Sequence, residues 1–191
     1  MKKNVLFILL SLFLGNNFNF ALAEEPKHIK EISFVKEIYN FHVVAPGIMR
    51  GSQPSEASIK LLQDYCGIKT ILNLRSDKVE VDWERQVAEK LGIDYINIPM
   101  NGGQKQSLEK IEQCLNIMQD KARQPIFVHC QAGKDRTGMI CAAYKMRYEN
   151  WGLADALFEM LTYGYSRSCC FQMEESLSAW DLWRKAKASN H

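Results

Sequence analysis

The apolar positions along the chain fall into short blocks whose spacing alternates between that of helices and that of buried strands. Strands are predicted over residues 43–49, with a turn at Pro46 and Gly47, and over 69–74, 94–99 and 126–128. Helices are predicted from a Ser55 cap to Gly67, over 80–91, from a Ser107 cap onward, and over 137–150, 153–162 and 171–187. Because helices separate successive strands, the pattern predicts an α/β fold with a mostly parallel, twisted sheet of about four or five strands and helices on both faces.

The amino-terminal segment differs in character from the rest of the chain. Two lysines precede an apolar run over residues 5–14, and Ala21 and Ala23 form a small-residue cleavage pattern. The alternative, a membrane anchor, needs roughly 18 uninterrupted apolar residues, and this run is shorter. We therefore expect a signal peptide over residues 1–23, cleavage after Ala23, and a periplasmic or secreted domain over 24–191 that is not stably inserted in a membrane.

The remainder of the 191 residues contains no internal repeat and no long linker, so it predicts a single domain with a core over about residues 43–183. The formal net charge of the chain is +2, and loss of the signal segment would remove two lysines and no acidic residue. The expected domain is therefore neutral, and no basic run indicates binding to nucleic acid or to an anionic membrane surface. An anionic ligand would have to be bound by a local arrangement of groups.

Six cysteines lie beyond the signal segment, and export raises the question of disulfides. Cys114 and Cys141 fall inside predicted helices, where a small buried thiol is the common role. The disulfide state of Cys66, Cys169 and Cys170 stays open, because adjacent cysteines do not readily bridge one another.

The remaining cysteine, Cys130, starts the segment that is most informative about function, which joins the last predicted strand to the next helix. A tight loop there can turn its backbone N–H groups inward, and the positive end of the helix dipole adds to them, so that a tetrahedral anion is cradled. The same field favours the thiolate of a cysteine, which makes it a candidate nucleophile. The candidate nucleophile is Cys130, and the candidate phosphate-binding residues are Gln131, Ala132, Gly133, Lys134, Asp135 and Arg136.

Three neighbours of the nucleophile have distinct expected roles. Arg136 can bond two phosphate oxygens through its planar fork, in the ground state and in the transition state. Thr137 can place a hydroxyl near the Cys130 sulfur and so assist catalysis. His129 is expected to orient the loop without touching the phosphate.

The H-C-x5-R-T pattern that begins at His129 resembles the signature of the protein-tyrosine and dual-specificity phosphatase superfamily. Segments 50–54 and 71–75 are also similar to bacterial dual-specificity-like members. The resemblance implies a phosphatase domain that uses no cofactor and no metal and hydrolyses its substrate through a phosphocysteine on Cys130. It implies a phosphorylated protein as the substrate, or a phosphoinositide as the alternative, since similar loops with a lysine at the position of Lys134 occur in both kinds of phosphatase.

The family's general acid is missing from its usual place, the loop before the third helix, where an aspartate protonates the leaving oxygen. Residues 99–106 contain no carboxylate, and Asn101 cannot act as an acid. Asp135 is the preferred replacement, because myotubularin-like phosphatases have an aspartate at the similar position; its alternative role is to hold the loop by hydrogen bonds. Asp77 and Asp82 are reserve candidates, with a solvated turn and a helix start as their alternative roles.

Two other functions remain open. The missing acid favours a phosphate-binding module that does not turn over, whereas a reactive cysteine in an oxidising compartment suggests rhodanese or thiol-disulfide chemistry. No C-x-x-C pair is present, which argues against the latter. Candidates for the rim of the pocket, with packing as their alternative role, are Tyr163, Tyr165 and Arg167.

Overall fold

The computed structural model describes residues 37–189. The predicted signal segment, with its cleavage after Ala23, lies outside this range, and so do residues 24–36 of the expected domain. Within the described range, no helix has the length and apolar character needed to cross a membrane.

Five short strands form one sheet in the order β1-β2-β5-β3-β4. They are β1 (His42–Ala45), β2 (Ile48–Gly51), β3 (Thr70–Asn73), β4 (Asp94–Asn97) and β5 (Ile126–His129). β1 and β2 pair antiparallel, whereas all other neighbours pair in parallel, which confirms the predicted sheet. The turn expected within residues 43–49 is present, and Gly47 has a φ of 78°, but two paired strands flank the turn where one short strand was predicted.

Six α-helices occur in the described residues. They are α1 (Glu56–Cys66), α2 (Lys78–Lys90), α3 (Leu108–Gln119), α4 (Asp135–Tyr148), α5 (Leu153–Thr162) and α6 (Arg167–Ser189), and a 3-10 turn covers Lys121–Arg123. α1 lies between its predicted cap, Ser55, and Gly67, which has a φ of 62°. α2 begins two residues earlier than expected, because the Asp77 side chain accepts hydrogen bonds from two backbone N–H groups of its first turn.

Alternate residues of the central strands face two separate layers of helices. Ile71 and Phe127 pack with apolar residues of α1 and α2, whereas Leu72 and Val128 pack with those of α3 to α6. This period of two is expected for strands that are buried on both faces. The helices therefore cover both faces of the sheet, as the sequence predicted.

The fold places one connection at the edge of the sheet where ligands usually bind. β3 and β5 pair in parallel and end side by side at Asn73 and His129. The loop from β5 to α4 leaves this carboxyl edge, the position that open α/β sheets use for ligand sites.

Candidate active site

The loop between β5 and α4 has the backbone groups that an anion site needs. It begins at Cys130, which is 2% exposed, and it ends where α4 starts at Asp135. No side chain caps the first turn of α4. The first N–H groups of that helix are therefore available to an anion, together with the positive end of its dipole.

Gly133 allows this loop to fold closely against the end of β2. Its φ is +68°, and a Cβ at this position would lie 2.6 Å from the Gly51 carbonyl group and 2.8 Å from the Ser52 nitrogen. The left-handed conformation and the close approach both favour glycine. Any other residue would push the loop away from β2.

Donors from the β2 segment hold two carbonyl groups of the loop. Gln131 O accepts a hydrogen bond from Gln53 N at 3.1 Å, and Gly133 O accepts one from Arg50 Nη2 at 2.5 Å. These two contacts tie the loop to the β2 side and leave its N–H groups free of this role, so that they can serve an anion as the sequence predicted.

Arg50 adds a buried positive charge next to the loop. It is 2% exposed, its guanidinium lies 4.5 Å from the centroid of the Tyr163 ring, and its Nε has no hydrogen-bond partner among the described residues. A guanidinium is always charged, and its planar shape fixes the direction of the bond to Gly133. Arg50 therefore both positions the loop and raises the positive potential around it.

His129 lies at the end of β5 with no exposed surface. Its Nδ1 is 3.1 Å from Cys130 O, and its Nε2 is 3.0 Å from Glu84 Oε2. Both partner atoms accept hydrogen bonds, so a ring that satisfies both donates from both nitrogens. This arrangement fits the predicted role of His129 in orienting the start of the loop.

Glu84, from α2, anchors that histidine inside a buried polar network. Its carboxylate also accepts hydrogen bonds from Gln53 Nε2 at 2.8 Å, Asn73 Nδ2 at 2.6 Å and Tyr95 OH at 3.0 Å. Burial, followed by the charge of Glu84, raises the pKa of the Tyr95 hydroxyl well above its ordinary value. The network thus connects α2, which covers one face of the sheet, to His129, the residue that precedes the nucleophile.

The roles of Arg50 and Glu84 were not predicted from the sequence. Arg50 appeared only within a family-like segment, and its partner Gly133 is 83 positions away along the chain. A signal for Glu84 does exist in the sequence. It lies three residues after Val81 and four before Ala88, so it occupies the apolar face of α2, where a carboxylate needs buried partners.

Arg136 is in the first turn of α4, and its Nη1 donates a hydrogen bond to Met100 O at 3.2 Å. This contact places residues 99–106, where the family usually carries its acid, directly beside the predicted phosphate-binding arginine. Asn101 does not offer a proton there, and its Oδ1 accepts a hydrogen bond from Gly103 N at 3.0 Å.

The three candidate acids have structural contacts of their own. Asp135 Oδ1 accepts a hydrogen bond from Ser166 N at 3.4 Å, a contact that fits its alternative role of holding the loop. Asp77 caps α2 and lies 3.8 Å from Arg75 Nη2, whereas Asp82 is exposed on the same helix. Asp77 thus occupies the helix start that its alternative role predicted, whereas Asp82 is solvated but lies beyond the first turn of α2.

Two further loop residues differ in their surroundings. Thr137 is fully buried, and its hydroxyl oxygen has no hydrogen-bond partner among the described residues, the Cys130 sulfur included. Lys134 Nζ lies 5.1 Å from the centroid of the Tyr39 ring.

Two open grooves, of about 640 Å³ along α3 and α6 and about 540 Å³ beside α5, contain no residue of the loop.

The three candidate rim residues have packing or pairing roles. Tyr165 is 4% exposed and donates a hydrogen bond to Cys170 O at 3.2 Å. Arg167 pairs with Glu174 at 2.6 Å. The Tyr163 ring lies against the buried Arg50 guanidinium.

The structure contains all six cysteines as free thiols. Cys114 and Cys141 are buried in the core as predicted, and burial raises the pKa of Cys114 to about 12 and that of Cys141 to about 11. Burial also raises the pKa of the half-buried Cys66. The sulfurs of Cys169 and Cys170 lie 2.7 Å apart.

Known proteins are similar to this chain in sequence and in fold. The model of a family described as "DSP-PTPase phosphatase fused to NAD+ Kinase" matches residues 38–170, a range that includes the whole loop. The chain is 34% identical over 100 residues to "Probable NAD kinase 2, chloroplastic" from Oryza sativa subsp. japonica, which covers 50% of this chain and 10% of that protein. It is 22% identical over 158 residues to dual specificity protein phosphatase TpbA from Pseudomonas aeruginosa, which covers 83% of this chain and 70% of that protein.

A yeast protein is similar to this chain in both sequence and structure. Inositol diphosphatase SIW14 from Saccharomyces cerevisiae is 25% identical over 133 residues, which cover 68% of this chain and 47% of that protein. The crystal structure of its core catalytic domain in complex with citrate superposes with a TM-score of 0.65 and 25% identity, covering 80% of this chain and 94% of that chain. The chain thus spans one tenth of the rice protein and about half of SIW14.

Proposed function

Because this chain belongs to the family of dual-specificity and tyrosine phosphatase domains described as fused to NAD+ kinase, we propose that it hydrolyses phosphorylated proteins through a phosphocysteine on Cys130. The chain is a cysteine-based phosphatase by family. The covalent route is supported by the loop after β5, which begins with this buried cysteine and leads into the first turn of α4 with Arg136.

In the first step, the Cys130 sulfur attacks phosphorus, and the electron pair of the breaking P–O bond passes to the leaving oxygen. Loop N–H groups, the first turn of α4 and the fork of Arg136 bind the three other phosphate oxygens. In the second step, water attacks the phosphocysteine, which releases inorganic phosphate and returns the thiolate. Buried Arg50 keeps the loop in position in both steps through its bond to Gly133 O.

Protonation of the leaving oxygen limits which esters react well. The segment beside Arg136 has no carboxylate, and Asp135 accepts a hydrogen bond from Ser166 N. An aryl oxygen, such as that of phosphotyrosine, departs more readily without a proton than the alkyl oxygen of phosphoserine. Phosphotyrosine proteins are therefore the preferred substrates in this proposal.

Phosphoinositides or inositol diphosphates are the second candidate substrates, with the same mechanism. Lys134 supplies an additional ammonium group at the loop, and the similar yeast protein is named an inositol diphosphatase. In a diphosphate the leaving group is a phosphate, which departs without first being protonated, so the missing acid favours inositol diphosphates but not phosphoinositides, whose leaving oxygen is an alkyl oxygen. The missing acid favours a non-catalytic phosphate-binding module as well, but the intact Cys130 and Arg136 argue against it.

The deciding experiment measures hydrolysis of p-nitrophenyl phosphate with reductant and a metal chelator. Wild type should turn over, and Cys130→Ser should lose activity while still binding phosphate. Acid quenching of wild type during turnover should trap phosphate on the peptide that contains Cys130. Equal rates for wild type and Cys130→Ser would refute the covalent route. No wild-type turnover, with phosphate still protecting Cys130 from alkylation, would favour the binding module; no protection would favour thiol chemistry.

A second comparison identifies the substrate class. Rates are measured for a phosphotyrosine peptide, a phosphoserine peptide and an inositol diphosphate, in wild type and in Asp135→Asn. A proton donated by Asp135 would make Asp135→Asn selectively slow on the phosphoserine peptide. A uniform change across all substrates would indicate that Asp135 only holds the loop.

We also propose that the protein is exported. The support is the sequence pattern of two lysines, an apolar run over residues 5–14 and a cleavage site at Ala23. In a Gram-negative host, the periplasmic fraction should contain a chain that starts at Glu24, as measured by intact mass. An uncleaved chain in the cytoplasm would contradict export.

A further inference from the structure

α6 is interrupted near its start at a pair of adjacent cysteines. Cys170 has φ −138° and ψ 28°, which are not helical values. In a regular helix, consecutive side chains point about 100° apart, so their ends diverge. The break at Cys170 instead brings its sulfur to 2.7 Å from that of Cys169.

A carboxylate from the phosphate loop completes the group. Asp135, in the first turn of α4, has an oxygen within 4.8 Å of both sulfurs, and the two sulfurs also lie within this limit of each other. The Asp135 side chain already contacts the start of this segment through Ser166 N. Three potential ligands from two helices therefore converge at the edge of the proposed active site, outside the cradle itself.

Sulfur and carboxylate ligands together suit a thiophilic divalent cation such as Zn²⁺. With Zn–S distances near 2.3 Å, two sulfurs on a tetrahedral ion lie about 3.8 Å apart, so this pair would have to separate by about 1 Å. Cys169 is exposed, which leaves its side chain room to rotate.

We propose that Asp135, Cys169 and Cys170 form a binding site for a thiophilic divalent cation of the Zn²⁺ class, with water in the fourth position. The cation joins the first turn of α4, which carries Arg136, to the first turn of α6. It holds Asp135 away from the phosphate cradle, and it binds independently of the nucleophilic Cys130. The site stands on these contacts alone and does not depend on which phosphoester is hydrolysed.

The test uses the chain with Cys130→Ser, so that zinc cannot bind the nucleophilic thiol. The protein is reduced, freed of reductant without air, and titrated with Zn²⁺ against a chromophoric chelator. One Zn²⁺ per chain is expected, and Cd²⁺ should give the ultraviolet absorption of sulfur-to-metal charge transfer. Adding Cys169→Ser or Cys170→Ser should weaken Zn²⁺ binding at least tenfold, and adding Asp135→Asn should weaken it measurably.

Cys66→Ser is the matched control, because it removes another thiol of intermediate burial at a remote helix and should leave the affinity unchanged. Circular dichroism verifies that each variant is folded, and exposed Cys169 is the substitution least able to disturb folding. Unchanged affinity in Cys169→Ser and Cys170→Ser would overturn the site, as would no zinc binding by the parent.

Discussion

Removing the Glu84 carboxylate should destabilise the whole domain, because four side chains depend on it inside the protein. Glu84 is fully buried and accepts hydrogen bonds from Gln53, Asn73, Tyr95 and His129. Glu84→Ala leaves these donors without their acceptor. A buried donor left without its acceptor costs about 1–3 kcal/mol, so the loss of this shared acceptor should remove a large part of the 5–15 kcal/mol that typically stabilises a domain.

The size of the effect can be measured as a shift in melting temperature. For a domain of this length, 1 kcal/mol corresponds to about 2–4 °C, so Glu84→Ala should melt roughly 10 °C lower than wild type. Glu84→Gln keeps one carbonyl acceptor and should have a smaller effect, on the order of 1–3 kcal/mol. Asp82→Ala is the control, because Asp82 is exposed on the same helix and should change stability by about 0.5 kcal/mol or less.

A functional readout distinguishes support of the loop from general stability. At a temperature where all variants are folded, Glu84→Gln should lower kcat on p-nitrophenyl phosphate, since His129 bonds Cys130 O and loses its charged partner. Asp82→Ala should keep the wild-type kcat. This reasoning would be refuted if Glu84→Ala had the same melting temperature as Asp82→Ala, or if Glu84→Gln had the wild-type kcat.

Three further predictions use other parts of the structure. Gly133→Ala should reduce phosphatase activity at least tenfold and lower stability by more than Gly67→Ala does, because both glycines have a positive φ but only Gly133 packs against backbone; equal melting of the two variants would contradict this. Burial lowers the pKa of His42 below its ordinary value of 6.5, so this histidine binds a proton more tightly in the unfolded chain than in the folded one. Protonation therefore favours unfolding, and the free energy of unfolding should fall as the pH drops below about 6.5. His42→Gln should therefore melt with a smaller drop than wild type between about pH 7.5 and about pH 5, and an unchanged drop would oppose the assignment. Burial raises the pKa of Cys114 to about 12 and that of Cys141 to about 11, so iodoacetamide at neutral pH should alkylate neither in the folded protein, as peptide mass spectrometry would detect.

The elements that the sequence predicted most closely have local signals at their ends. α1 is defined by the Ser55 cap and by Gly67 in the left-handed conformation, and α3 by the Ser107 cap. α5 coincides with the predicted residues 153–162. Such signals act over three or four residues, so they can be read without knowledge of the fold.

Features that the sequence did not predict depend on contacts between distant segments. The start of α6 was expected at residue 171, but the helix begins at Arg167 and includes the break at Cys170. The bond from Arg50 to Gly133 and the bond from Glu84 to His129 join residues 83 and 45 positions apart. The order of strands in the sheet brings these pairs together, and a linear pattern contains no information about that order.

The two roles that the sequence left open for Asp135 follow from its position between the phosphate loop and α6. As observed, its carboxylate accepts a hydrogen bond from Ser166 N and lies among the sulfurs of Cys169 and Cys170. To protonate a leaving oxygen it must rotate away from this bond, which costs about 0.5–1.5 kcal/mol. General acid catalysis raises the rate by 10²- to 10⁴-fold, which corresponds to an activation barrier lower by about 3–5 kcal/mol. Because this gain exceeds the cost of the rotation, the rotation is favourable for a substrate that needs the proton. A cation bound at the cluster would oppose this rotation, and it would therefore slow alkyl phosphates while leaving aryl phosphates largely unaffected.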